Sequence, residues 1–537
     1  MVSFNENAAY QKQETIVLKK LVHSSGKECE QAARALQAAY PQQPNANFVL
    51  ARALVKNEKK FEALSFAQAA IRLGGLKVDT AYFLAQLYLD FNFPEIAAPL
   101  LHEALKKFPK ASQITEKLAG LYAMIGHGKT AVTYFHQAMS IETDPLKLAT
   151  IKVSLADCLT AMNLIDESEK LYVEASSFRE LEAYAVSSLA GLRKHTPSSE
   201  IGIKLKQKIE NPKIIADRTI LRNMHLTMGR LHENAKEYDL AFKLWQSSRD
   251  DNTLKFDSAE YISGIERSIA FYDTSLFSNL ARFGHPSQQP IFIVGMPRSG
   301  TTLIEQIISS HRDGASAGEI GRITKQNKAF DQTYNLPGGK EKLMTNAAKG
   351  ELHARGQEFL TLINFVAGRP ANRIVDKTLS QFRAAGYIHL CFPNAKFIHC
   401  VRHPADNFIS AMQNNFTDSF NYIFSQKSFV DYYLGHERLM AHWTKCFGNQ
   451  IFRLNYEQLT NDPENMVRKI VNFLGLGWDP NCMKFFERDV MVSTFSKGQV
   501  RSAINRNSVA RWKNYKTHLE PLFGALRAAN FEYPNFD

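Results

Sequence analysis

Residues 291–302 read IFIVGMPRSGTT. Four apolar residues run into Gly295, a short turn follows, and Gly300 opens onto Thr301 and Thr302. Two glycines five apart after an apolar run match the front of the phosphate-loop pattern G-x-x-x-x-G-K-[ST]. Such a turn aims backbone N–H groups, and the N-terminus of the next helix, at an anion. The pattern's lysine is absent: Thr301 stands in its place, and Arg298 lies inside the loop. In an ATP-using loop that lysine reaches the β- and γ-phosphates, and an acidic residue after a neighbouring strand helps hold magnesium. Asp376, after RIV, could fill the acidic place. Without the lysine, phosphoryl transfer from ATP is the weaker reading of this loop.

Around the loop, short β-rich runs at 291–294, 373–375, 396–401 and 451–454 alternate with helical patterns, among them 301–311 and 463–474. That alternation predicts a mainly parallel sheet with helices on both faces. Ligands of such folds sit at the carboxyl ends of the strands, so the chemistry is expected just after each run. The segment FGHPSQQP, starting at residue 283, has a linker's composition. It divides a P-loop-like α/β domain, residues 283–537, from the first 282 residues.

Those 282 residues repeat. Ala63, Ala97 and Ala131 recur thirty-four apart, and so do Ala67, Leu101, Phe135 and Ala70, Ala104, Ala138. Ser168, Tyr172 and Ala175 continue the series. Each group follows a matching half: Leu50-Ala51 with Leu54, Leu84-Ala85 with Tyr88, Leu118-Ala119 with Tyr122, Leu155-Ala156 with Leu159. Met228-Gly229 precedes Ala241 and Trp245 at the same offset. Small residues let paired helices approach closely, and large ones fill the gaps between stacked pairs. The period resembles that of tetratricopeptide repeats. About five or six units fit between about residue 12 and about residue 250, the first and fifth degenerate, with the register lost over 176–225. An all-α solenoid of this kind offers a concave groove for a peptide or protein.

Composition excludes little. A length of 537 residues calls for more than one core, and 45% hydrophobic with 22% charged residues is ordinary for a globular chain. A net charge of +12 attracts anions of many kinds. The six cysteines are scattered with no CxxC pair, so neither a disulfide framework nor a zinc site is expected, and no metal is assigned. The N-terminus lacks a basic-then-apolar secretory order, and no uncharged apolar run reaches the ~18 residues that span a bilayer. The expectation is a reducing, cytoplasmic setting.

Five ordered segments carry a closer resemblance. IFIVGMPRSGTTLIEQIISSH resembles the 5′-phosphosulfate loop of sulfotransferases in the form used by tyrosylprotein sulfotransferases. ASAGEIGRI resembles the segment with that family's catalytic glutamate. VDKTLSQFRAAGYIHLCFPNAKFIHCVRHPADNFIS is similar to the stretch from its lysine to its 3′-phosphate site. RLNYEQLTNDPENMVRKIVNFLGL resembles the part bearing an adenine-side tyrosine, and STFSKGQVRSAINRNSVARW its nucleotide-covering loop. Repeats joined to such a domain are similar to a bacterial group of tetratricopeptide-containing sulfotransferases.

The resemblance implies a donor, 3′-phosphoadenosine 5′-phosphosulfate (PAPS), which leaves as 3′-phosphoadenosine 5′-phosphate, with no metal required. Arg298, Ser299, Gly300, Thr301 and Thr302 would cradle the 5′-phosphosulfate. Lys377 would sit at the bridging oxygen. Arg402 and Ser410 would bind the 3′-phosphate, with His403 where the family often has aspartate. Tyr456 would lie beside the adenine. Ser496 would stand near the sulfuryl group, and Arg501 and Arg511 near nucleotide phosphate. Glu319 would be the general base, with His311 the rival, otherwise a helix cap. The acceptor implied is a protein or peptide tyrosine, recruited with help from the repeats, and Arg322 and Lys325 could read acidic residues around it. No nucleic acid is implied, and a homodimer is compatible with the reading. A glycan, lipid or small-metabolite acceptor stays open, as do, behind these, a variant P-loop kinase or NTPase and an inactive repeat scaffold.

Overall fold

The computed structural model describes all residues except 1–3, 212–216, 250–254, 337, 417, 489, 493–499 and 534–537. Helices fill the chain from Phe4–His23 to Thr274–Leu280, and a five-stranded sheet follows. The repeat read from sequence is a train of helical hairpins. The first members include Pro44–Lys56, Val78–Asp90, Ser112–Met124 and Pro145–Ala161, and the second Lys60–Gly74, Pro94–Lys107, Gly128–Ile141 and Ile165–Ala175. Ala63, Ala97 and Ala131 are fully buried on the second members, where a larger side chain would force the pair apart. Segment 176–225 stays helical through Arg179–Leu192 and Glu200–Glu210 although its register is lost.

The turns between paired helices repeat as well. Glu58, Asn92, Gly126, Asn163 and Lys236 all have φ between 61° and 82°. The residue that follows bonds back across five positions, Lys59 to Leu54, Phe93 to Tyr88, Leu164 to Leu159 and Glu237 to His232, each N–H to the carbonyl at 2.8–2.9 Å. This is the Schellman closure of a helix end. Asparagine and glycine tolerate it at least cost, and only one of these five positions is glycine.

The chain divides into two compact units: residues 1–124 with 129–151, and residues 125–128 with 152–537. The first is built on Leu50, Leu54, Ala63, Ala67, Leu84 and their neighbours. In the second, helices from the later repeats share a core with the sheet domain. Trp245 packs at 5.7 Å from Tyr515, Tyr261 stacks on Tyr432 at 4.6 Å, and Arg249 donates to the carbonyls of Met412 and Asn414 at 2.9 and 2.6 Å.

The sheet is wholly parallel among the described residues, with the order β2-β3-β1-β4-β5. Its strands are β1 (Pro290–Gly295), β2 (Gly314–Gly318), β3 (Arg373–Asp376), β4 (Lys396–Val401) and β5 (Ile451–Asn455). Phe292 and Val294 of β1 enter one core, and Ile291 and Ile293 the other, so both faces are covered. A parallel sheet buried on both sides needs such uninterrupted apolar runs. β2, GASAG, was not expected: it lacks β-branched residues and is held by pairing with β3, Ala315 opposite Ile374. No helix among the described residues is long and apolar enough to cross a membrane.

Gly229 shows how tightly the late repeats pack. A Cβ there would lie 2.2 Å from Nε1 of Trp245, whose N–H donates to the Leu226 carbonyl at 3.2 Å. Gly229→Ala is expected to destabilise the protein by about 1–3 kcal/mol through overpacking. An unchanged urea midpoint would contradict this packing.

Candidate active site

β1 lies between β3 and β4, where the order of connection reverses, and a crevice opens there at the strand ends. The loop after β1 has the shape the sequence asks for. Gly295 has φ 154° and Gly300 φ 99°. A Cβ on Gly295 would meet the Cys400 carbonyl at 2.4 Å, and one on Gly300 the Tyr456 ring at 2.7 Å, so both positions demand glycine. Arg298 is left-handed too, at φ 71°, a conformation costing about 1–3 kcal/mol that persists only where the surroundings impose it. Gly300 then begins helix Thr301–Ser310 with no side-chain cap. The first N–H groups of that helix stay available to an anion. Ser299, Thr301 and Thr302 are buried around the turn, and the Ser299 hydroxyl donates to the Met296 carbonyl at 2.7 Å.

Three further arginines gather at Arg298. Its Nε donates to Ser410 Oγ at 3.0 Å, which joins the loop to helix Pro404–Met412. Arg402, directly after β4, donates to the Arg298 carbonyl at 2.9 Å and to that of Ser508, and lies 4.9 Å above the Tyr456 ring. Its Nε has no hydrogen-bond partner among the described residues. Burial, and then the positive charges of Arg402, Arg511 and Arg230, pull the Arg298 guanidinium down to about 9. Neighbouring like charges of this kind favour a bound anion.

Two carboxylates, Glu233 and Asp406, oppose the group among the described residues. Glu233, near the end of helix Arg218–Asn234, pairs with Arg511 and accepts from the Tyr515 hydroxyl at 2.6 Å and the Gln413 amide at 3.1 Å. Asp406 holds the same C-terminal segment, accepting from the N–H groups of Ala510 and Trp512 at 2.7 and 2.8 Å. His403 completes the clamp: its ring stacks on Trp512 at 5.3 Å and accepts from the Ala405 N–H. Burial presses its pKa down to about 4, so it is neutral at pH 7 and structural.

On the other side of β1, the end of β3 presents Lys377. Its ammonium is buried between two carboxylates, paired with Glu319 and 3.7 Å from Glu305. Its backbone N–H donates to the Gly318 carbonyl at 2.8 Å, which fixes Lys377 beside the end of β2. Glu305 is buried on helix Thr301–Ser310 and takes a 2.5 Å bond from Ser316. Glu319 is partly exposed, open to a reactant. Asp376 is occupied otherwise: Thr378 and Gln381 donate to its carboxylate, and burial raises it to about 6.

The expected residues thus fall into place unevenly. Arg298, Ser299, Gly300, Thr301, Thr302, Arg402, Ser410, Tyr456 and Arg511 converge on the loop, and Lys377 and Glu319 meet beside it. Arg501 is not among them: its described bonds run to the carbonyls of Arg488, Val490 and Ala161. Ser496 lies outside the described residues. His311 donates from Nε2 to the Gly477 carbonyl at 2.7 Å and accepts the Asp313 N–H at Nδ1, so both ring nitrogens are used. It closes the far end of the helix that the loop begins. Arg322 is buried, whereas Lys325 on the same helix is exposed. Sequence reasoning missed Glu233, Glu305 and Asp406. Glu305 and Asp406 lie inside quoted segments but were given no role there, Glu233 lies in none, and each acts through a partner remote in the chain.

Glu233→Gln removes the carboxylate that pairs with Arg511 and leaves Asp406 to oppose the arginine group. We expect a loss of about 1–3 kcal/mol, moderated by partial exposure. Added inorganic phosphate or sulfate should restore stability more than chloride at equal ionic strength. A thermal melt indifferent to both the substitution and the anion would refute this.

Comparison with known proteins agrees with the geometry. Residues 290–480 match the family model described as "Sulfotransferase family". An uncharacterised protein of Aquifex aeolicus is 32% identical over 56% of this chain and 40% of its own length. Protein-tyrosine sulfotransferase 1 of Danio rerio is 27% identical over 41% of this chain and 65% of its own. The chain therefore spans less than two thirds of either relative. Among solved structures, the sulfotransferase domain of the Synechococcus PCC 7002 olefin synthase is 17% identical, with a TM-score of 0.31 over 47% of this chain and 98% of that one. Residues 290–480 are a sulfotransferase-family domain, joined in one chain to tetratricopeptide-type helical repeats.

Proposed function

We propose that the chain transfers the sulfuryl group of PAPS to an acceptor hydroxyl. The observation that carries this reading is the pairing of two devices at adjacent strand ends. One is an anion cradle backed by several arginines, and the other is a buried lysine joined to a partly exposed carboxylate. An ATP-using loop needs its lysine and a metal-holding acid; here the lysine is missing and Asp376 is committed to Thr378 and Gln381.

In this reading the loop amides and Arg298 hold the 5′-phosphosulfate, and Arg402 with Ser410 holds the 3′-phosphate, supported by Arg511. Tyr456 flanks the base. The acceptor oxygen attacks sulfur, Glu319 removes its proton, and the bond from sulfur to the bridging oxygen breaks. Lys377 neutralises the charge that develops on that oxygen. Its present pairing with Glu319 holds the two groups adjacent. The task is in-line positioning and charge stabilisation, with no role assigned to a metal.

The acceptor we favour is a protein or peptide tyrosine, supported by the resemblance of the ASAGEIGRI segment and by relatives named protein-tyrosine sulfotransferases. Exposed Lys325 is placed to meet an acidic context. We assign recruitment to the repeats in residues 1–282 and chemistry to 283–537, with a cytoplasmic setting inferred from six unbridged cysteines.

Calorimetric titration with 3′-phosphoadenosine 5′-phosphate tests the donor site, and absence of binding would overturn the reading. Arg402→Ala should weaken that binding about 10- to 100-fold, the worth of a charge-assisted contact. Glu319→Gln should bind normally and lose transfer of labelled sulfate by about 10²–10⁴-fold. If Glu319→Gln retains full transfer, the base lies elsewhere.

A further inference from the structure

Away from the crevice, His399, His436 and Glu437 bring three ligand-type side chains together, with donor atoms within 4.8 Å of one another. His399 lies in the middle of β4, and the other two on helix Gln426–Phe447. Both imidazoles are about 1% exposed. Nε2 of His399 and Nε2 of His436 have no hydrogen-bond partner among the described residues, and Nδ1 of His436 and Oε1 of Glu437 face only each other, 3.2 Å apart and poorly aligned for a hydrogen bond. Unpaired polar atoms at such depth cost about 1–3 kcal/mol each and call for a partner.

We propose that His399, His436 and Glu437 bind a divalent transition-metal ion of the zinc type, clamping β4 to helix Gln426–Phe447. The spacing fits. Oε1 of Glu437 lies 3.7 Å from Nε2 of His399 and 3.2 Å from Nδ1 of His436. Ligands about 2.0–2.1 Å from a tetrahedral zinc stand about 3.4 Å apart. The surroundings fit too. Arg453 donates to the other oxygen of Glu437 at 2.8 Å, which orients the carboxylate and leaves Oε1 facing the histidines. Phe382 sets its ring edge-on to His436 at 4.6 Å, an apolar wall. Two imidazoles and one carboxylate leave a fourth position for water. The site's effect is structural: β4 delivers Arg402, and the metal would fix that strand from behind.

The test uses the full-length chain without a polyhistidine tag, stripped by chelator dialysis and titrated with Co²⁺. The expected result is one Co²⁺ per chain, with the visible absorption of a four- or five-coordinate ion, no thiolate charge-transfer band, and displacement by Zn²⁺. Zn²⁺ should raise the melting temperature. Glu437→Gln, a volume-conserving change at the least buried ligand, should weaken Co²⁺ binding at least about tenfold and remove the thermal shift. His399→Gln should do the same, with circular dichroism reporting its fold. Should His399→Gln not fold, the wild-type spectrum and Glu437→Gln decide. Failure of the wild type to take up stoichiometric Co²⁺ at micromolar concentration overturns the proposal. So does unchanged binding by Glu437→Gln, and the cluster is then a hydrogen-bonded His–Glu group.

Discussion

Arg298, Arg402, Arg511 and Arg230 repel one another, and the architecture of the crevice follows from how that repulsion is offset. Arg298 is forced into a left-handed conformation within the loop, and its side chain is pinned by Ser410. Arg402 is spread between two backbone carbonyls and an aromatic face. Glu233 supplies an opposing carboxylate, shared among Arg511, Tyr515 and Gln413, and Asp406 a second. Few groups offset several charges, so an anion carrying multiple charges gains on entry what the free protein lacks. The same balance explains why a late repeat helix shares a compact unit with the sheet: it carries Arg230 and Glu233 to the arginine group.

Across β1 the electrostatics are inverted. Lys377 is outnumbered by Glu319 and Glu305, one open to solvent and one buried. The buried carboxylate helps hold the lysine in place, and the open one can meet a reactant. Positive excess on one side of a strand and negative excess on the other, joined by a short glycine loop, suits a reaction that moves a group between an anionic donor and a hydroxyl that must lose its proton.

Much of this was legible because it depends on neighbours in sequence. The thirty-four-residue period marks buried alanines at helix crossings, and the spacing of Gly295 and Gly300 marks positions where a Cβ would strike Cys400 or Tyr456. β2 was illegible because GASAG has no strand propensity of its own and is made a strand by β3. Arg501 lies in a segment with the right neighbours, and its described bonds go to the carbonyls of Arg488, Ala161 and Val490, partners that no local pattern announces. Nothing local marks Glu233 or Glu305; each gains its role only when folding opposes it to arginine or lysine.

The chain's local order thus determined the elements by itself: helical pairs closed by left-handed turns, a parallel sheet buried on both faces, and a loop whose glycines and uncapped helix accept an anion. These follow from backbone sterics and apolar periodicity, which act over a few residues. Tertiary structure alone decided which charges oppose which. Coulomb forces act through space rather than along the chain, so the pairing of Glu233 with Arg511, of Glu305 with Lys377, and the convergence of His399 with His436 and Glu437 exist only once distant segments are packed.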